Sequence, residues 1–121
     1  NERNLDLAQD LRSDGFNVLF FHYRGAWGSE GTYSFTHVIE DVAAATDYLR
    51  ANAEALRTDP DKLILIGHSM GGFAALEAAA RDETIACVAG IAPANMGPLA
   101  DAPAERTDGF ASYADTMQMR A

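Results

Sequence analysis

Gly67-His68-Ser69-Met70-Gly71 is the stretch of this sequence whose residue types and spacing could do chemistry. A serine with glycine two positions before it and two after suits a turn so tight that larger side chains at those positions would collide. Such a turn lifts the Ser69 hydroxyl clear of the backbone, and the chemistry it serves is nucleophilic attack on a carbonyl carbon. Leu63-Ile64-Leu65-Ile66 before the turn reads as a short buried strand, and Phe73 to Ala80 after it as part of a helix. The positive end of that helix and the backbone N–H of Met70 would then face an oxyanion developing on the substrate. With 10 glycines in 121 residues, the five-residue pattern is expected about 0.03 times by chance in this composition.

Two other uses of the turn stay open at this level. Ser69 could cap the following helix, which serine does well. The helix start could instead hold a phosphate, but neither G-x-G-x-x-G nor G-x-x-x-x-G-K-[ST] occurs at the turn. A nucleophilic serine also needs a general base. The histidines are His22, His37 and His68, and none follows Ser69. His68 is expected to point away from its neighbour across the turn, His22, at the end of a buried strand, to be a satisfied structural histidine or else to reach the site rim, and His37 to sit on the solvent side of a helix start. Asp101, Asp108 and Asp115 are the late acidic residues, and no spacing selects one of them as the acid.

The elements that must position Ser69 follow from the apolar pattern. Residues 4–14 carry Leu5, Ala8 and Leu11 at helical spacing, and Gly15 stands where a left-handed terminus would end that helix. Phe16 to Tyr23 reads as a strand covered on both faces. Arg24 to Thr32 holds three glycines and reads as a loop. A second helix is expected from about Thr36 to Leu56, with Val38, Val42, Ala45, Leu49, Ala53 and Leu56 on one stripe. Thr58-Asp59-Pro60-Asp61 breaks the chain before a strand at Lys62 to Ile66, a helix at Met70 to about Arg81 and a strand at Ile85 to Ala92. Residues 93–121, punctuated by Pro93, Pro98 and Pro103, read as the start of a loop or cap segment. The order of helices and strands implies an α/β fold, a mainly parallel sheet with helices on both faces, in one domain over 1–121.

Composition narrows the partners. A 121-residue chain that is 48% hydrophobic suffices for one core, and its formal net charge of -9 argues against nucleic acid and anionic membrane surfaces. No apolar run has the roughly 18 residues of a membrane helix. The single cysteine, Cys87, excludes an internal disulfide, and its apolar neighbours predict a buried strand thiol. A cytoplasmic location is the working expectation, and the opening Asn1-Glu2-Arg3-Asn4, without methionine, points to an authentic N-terminus outside the sequence.

Gly67-His68-Ser69-Met70-Gly71-Gly72, with His22-Tyr23-Arg24-Gly25-Ala26-Trp27-Gly28-Ser29-Glu30-Gly31, resembles the α/β-hydrolase superfamily. Within it, the chain is similar to the prolyl-oligopeptidase and dipeptidyl-aminopeptidase-related branch and its esterase neighbours. The resemblance covers residues 1 to about 95 and implies a central part of that fold, truncated on both sides. It implies a serine hydrolase that cleaves an ester or amide bond of a small-molecule or peptide substrate through an acyl-enzyme on Ser69. Gly67 and Gly71 would supply the turn geometry and the Met70 N–H one oxyanion donor, with no metal and no organic cofactor. Triad members in the order serine, acid, histidine are implied, so the histidine would lie beyond this chain. The second oxyanion donor would come from a loop ending just before Asn1. The same resemblance places a further strand between Phe16 to Tyr23 and Lys62 to Ile66. The alternative is a non-catalytic binding or scaffold protein of the same fold. Trp27 and Tyr33, in and beside the glycine loop, are expected either to line the substrate pocket or to pin the loop, and Arg24 to tie the loop to the scaffold.

Overall fold

Leu5–Ser13 forms the first helix, α1, in the computed structural model, which describes residues 4–96. It ends as its sequence predicts. Gly15 takes a φ of +96°, the Phe16 N–H donates to Leu11 O at 3.1 Å, and the Gly15 N–H donates to Arg12 O at 3.1 Å. That pair of bonds satisfies the carbonyls a helix end leaves without partners.

Ser34 starts the second helix, α2 (Phe35–Ala51), with its Oγ accepting from the His37 N–H at 3.1 Å. Val38, Val42 and Thr46, four apart, form its buried stripe, and Thr46 satisfies its hydroxyl on Ala43 O at 2.7 Å. The helix stops five residues short of the predicted Leu56. Asn52 ends it with φ −113°, its backbone N–H and its side-chain amide both donating to Tyr48 O, at 3.1 and 2.8 Å. A separate turn of helix, α3 (Ala53–Leu56), follows and ends at Arg57 with φ 54°.

Asp59 caps a short 3-10 turn at Pro60–Lys62, its Oδ1 accepting from the Asp61 N–H at 3.0 Å. That turn delays the next strand, β1, to Ile64–His68, two residues later than predicted, so Gly67 and His68 are strand residues. Helix α4 (Met70–Arg81) and strand β2 (Cys87–Ile91) complete the described fold. The two strands are parallel and in register from Ile64 beside Cys87 to His68 beside Ile91. Both therefore end level with Ser69.

The core joins α2 to α4. Val38, Val42, Met70, Ala74 and Ala78 are buried together, with Tyr23, Tyr33, Phe35 and Leu65 packed around them. Ala74 and Ala78 let α4 approach α2 closely, and α4 also packs on both strands.

Two expectations about the sheet fail among the described residues. Phe16 to Tyr23 forms no strand, and the sheet has β1 and β2 alone. Phe16, Leu19, Phe20 and Phe21 are exposed rather than covered on both faces, as are Ile64, Ile66 and Ile91. Cys87 is exposed rather than buried. The reason is shared. A strand is completed by a neighbour and covered by layers on both faces, whereas here α4 covers one face and no described strand flanks the outer edge of β1.

Candidate active site

The turn between β1 and α4 begins with a steric fact about Gly67. A Cβ at that position would stand 2.0 Å from Gly71 O, 2.3 Å from the Gly71 carbonyl carbon and 2.6 Å from Gly72 N. Strand and helix meet here with backbone against backbone. Gly72 is the second point of contact, where a Cβ would lie 3.0 Å from Gly67 O and from both Cα and Cβ of Pro93. Gly71 differs from what the motif predicts, because a Cβ there would meet only the Tyr23 hydroxyl, at 3.5 Å. The crowding that excludes side chains is thus concentrated at Gly67 and Gly72, and Gly71 contributes its backbone to it.

Between these glycines Ser69 takes φ 55° and ψ −119°, a conformation that costs a non-glycine residue about 1–3 kcal/mol. Main-chain hydrogen bonds hold it there. The Ser69 N–H donates to Ile91 O at 3.0 Å, while Ser69 O accepts from the N–H of Phe73 at 3.2 Å and of Ala94 at 2.9 Å. Ser69 is the N-cap residue of α4, yet its side chain makes no capping hydrogen bond. Among the described residues its hydroxyl has no hydrogen-bond partner, in a place where serine usually spends it on the helix.

Met70 opens the helix. Its side chain is buried, 3% exposed, and its sulfur accepts a hydrogen bond from the Tyr33 hydroxyl. Among the described residues nothing accepts from the Met70 N–H, one of the donors that every helix start leaves over. A half-buried serine hydroxyl, a free amide one residue on and the positive end of a 12-residue helix thus share one turn. That combination can present a nucleophile and stabilise a negative oxygen beside it.

The glycine loop flanks this turn. Gly25, Gly28, Gly31 and also Trp27 have positive φ. Arg24 fastens the loop to α2, its Nε 2.6 Å and its backbone N 2.8 Å from the two carboxylate oxygens of Asp41, with Glu40 at 3.2 Å. Trp27 is half-buried within the loop, and Tyr33, at its exit, packs against the core. Tyr23, at its entrance, packs on the same core, and burial, with the nearby Asp41 charge adding, pushes its phenol up to about 12. It is a neutral hydroxyl at any physiological pH.

None of the three histidines is hydrogen-bonded to Ser69. His37 holds Thr32 O through Nδ1 at 2.6 Å, and the His22 ring stands edge-on to Phe20 at 6.0 Å. His68 is half-buried at the end of β1. Asp101, Asp108 and Asp115 lie outside the described residues. A cleft of about 510 Å³, bordered by Leu19, Phe21, His22, Arg24 and Asp41, includes neither Ser69 nor Met70. Among the described residues no group of three His, Cys, Asp or Glu could hold a metal, and no helix is long and apolar enough to cross a membrane.

The family model for serine aminopeptidase, S33, an α/β-hydrolase family, matches residues 2–113. The chain belongs to that family. Its α/β architecture follows. The chain is also similar to the uncharacterized protein YfhR of Salmonella typhimurium, 40% identical over 66 residues, which are 54% of this chain and 22% of that relative. It is 34% identical over 77 residues to the protein of the same name from Escherichia coli K12, across 64% of this chain and 26% of the relative. The alignments thus span about a quarter of each relative's length. No solved structure matches at a significant level.

Motif reasoning overlooked part of the support around Ser69. The carbonyl of Ile91 and the N–H of Ala94 leave no trace in residue type, because any residue supplies them. Pro93, wedged against Gly72, was visible only as a breaker after a strand.

Proposed function

We propose that this segment carries the nucleophile of a serine hydrolase that cleaves an ester or amide bond of a small-molecule or peptide substrate. The observation that carries the reading is Ser69 itself, strained at φ 55° at the start of α4 with its side chain making no capping hydrogen bond. Ser69 Oγ attacks the substrate carbonyl and loses its proton to a histidine. The Met70 N–H supports the oxyanion of the tetrahedral intermediate. Collapse expels the alcohol or amine, which takes that proton, and leaves an ester on Ser69. Water, deprotonated by the same base, then attacks the ester and restores the serine. The matched family's description as a serine aminopeptidase supports counting peptide amides among the substrates. A net charge of -9 disfavours polyanionic ones.

No histidine follows Ser69 in these 121 residues, so in the serine, acid, histidine order the base would come from chain beyond them, and by the resemblance the second oxyanion donor would lie outside them as well. Two preparations test the reading with a fluorophosphonate probe and a panel of p-nitrophenyl esters and aminoacyl anilides. The full reading frame containing this segment is expected to be labelled and to turn over at least one substrate, and Ser69→Ala to abolish both. The 121-residue chain alone is expected to do neither. Rapid labelling of Ser69 in the isolated chain would overturn the division of the machinery. Undiminished hydrolysis by the Ser69→Ala protein would overturn the nucleophile.

A further inference from the structure

Tyr23 and Tyr33 stand at the entrance and the exit of the glycine loop, and both reach the first turn of α4. The Tyr23 hydroxyl lies 3.5 Å from where a Cβ on Gly71 would be, and the Tyr33 hydroxyl donates to the Met70 sulfur. Both rings pack on the core cluster that includes Met70. The loop and the nucleophile turn are therefore in direct mechanical contact at neighbouring residues.

The contact is stiff at each end. On the loop side, a Cβ on Gly25 would stand 2.3 Å from Tyr33 N, so the loop's first turn and Tyr33 are pressed backbone to backbone. The loop is closed by the Gly25 N–H on Glu30 O at 3.0 Å and anchored through Arg24 on Asp41. On the helix side, the Met70 side chain is 3% exposed and has no room to swing. What fixes that side chain also fixes the peptide plane from which the Met70 N–H projects.

We propose that Tyr33 is a positioning residue, setting the direction of the Met70 N–H through the Met70 side chain and linking that amide to the glycine loop. The inference rests on the reading of Met70 as an oxyanion donor. An oxyanion donor works only within a narrow distance of the charge it meets, so a small rotation of the Met70 peptide weakens transition-state binding more than substrate binding. Tyr33 would thus act on kcat, with little effect on KM.

The test uses the full reading frame with Tyr33→Phe, Met70→Leu, the double variant and Ser69→Ala, assayed on one ester well below the lowest melting temperature. Tyr33→Phe keeps the ring and removes the hydroxyl, and Met70→Leu keeps the amide and removes the acceptor. Each is expected to lower kcat about 3–10-fold, a fraction of the 10²–10³-fold lost when a whole donor is removed, with KM within about twofold. The double variant is expected to be no slower than the slower single, because both remove one contact. Unchanged kcat in Tyr33→Phe, or multiplicative losses in the double variant, would overturn the inference. If Ser69→Ala is inactive while Tyr33→Phe matches the wild type, the positioning role alone fails. If Ser69→Ala keeps full activity, the catalytic reading fails and this inference with it.

Discussion

Gly67 and Gly71 stand symmetrically about Ser69 in the motif, but alanine should have opposite effects at the two. At Gly67 the new methyl meets three backbone atoms, Gly71 O at 2.0 Å, the Gly71 carbonyl carbon at 2.3 Å and Gly72 N at 2.6 Å. Carbon and oxygen approach to about 3.3 Å without repulsion, so the helix start must retreat by more than about 1 Å. No side chain can absorb that movement. Overpacking of this kind costs about 3–5 kcal/mol, the upper end of what single substitutions do. For a protein of about 150–250 residues that lowers Tm by roughly 10 °C. The same movement displaces Ser69 and the Met70 N–H, so hydrolysis should fall about 10²-fold or more. At Gly71 the methyl meets the Tyr23 hydroxyl at 3.5 Å, ordinary contact, within the first turn of a helix. Alanine is favoured over glycine there by about 0.5–1 kcal/mol, so Gly71→Ala should melt at or slightly above the wild type. Both variants in the full reading frame, compared by thermal unfolding and ester hydrolysis, decide the matter. If they melt within 2 °C of each other, or if Gly67→Ala hydrolyses at the wild-type rate, the steric reasoning is refuted.

The Tyr23 phenol, raised by burial from 10.0 to about 12, predicts a stability change at alkaline pH. Below pH 10 the phenol is neutral in both the folded and unfolded protein and its contribution is complete. Between 10 and 12 the unfolded form ionises first, so stability on the order of 2–3 kcal/mol is lost as pH rises. Urea unfolding at pH 9 and pH 11 should show this extra slope in the wild type and not in Tyr23→Phe, and equal slopes would contradict it. Ser69→Gly should abolish hydrolysis yet raise the unfolding free energy by about 1 kcal/mol, since glycine relieves the positive φ at residue 69. A less stable Ser69→Gly protein would show that the turn is not strained.

What could be read from the sequence was what adjacent residues decide together. Helix α4 occurs at Met70–Arg81 as expected, because its start follows from the glycine turn and its body from a run of alanines. Gly15 ends α1 in the predicted conformation. The break at Asn52 and the Asp59-capped 3-10 turn ahead of β1 are local features that apolar periodicity does not carry. The apolar run from Val18 to Phe21 has the pattern of a covered strand, but pairing and cover depend on chain elsewhere. Cys87, apolar in its neighbours yet exposed, differs from its pattern for the same reason. At the candidate site the motif located the turn but not its asymmetry. It treats the two glycines alike, whereas the residue before the serine leaves a strand and the one after enters a helix. Tyr23, Tyr33 and Pro93 reach the turn only through tertiary contacts and leave no signal in spacing.

The hydrogen bonds from the Ser69 N–H to Ile91 O and from the Ala94 N–H to Ser69 O also impose an order in time. Synthesis delivers residue 69 well before residues 91 and 94. Until the end of β2 and the residues after it have docked, the main chain at Ser69 lacks two of the bonds that offset its strain. A nascent chain that has just released the motif holds its letters without its shape. The reactive geometry is set only once the chain some 25 residues downstream has folded back over it.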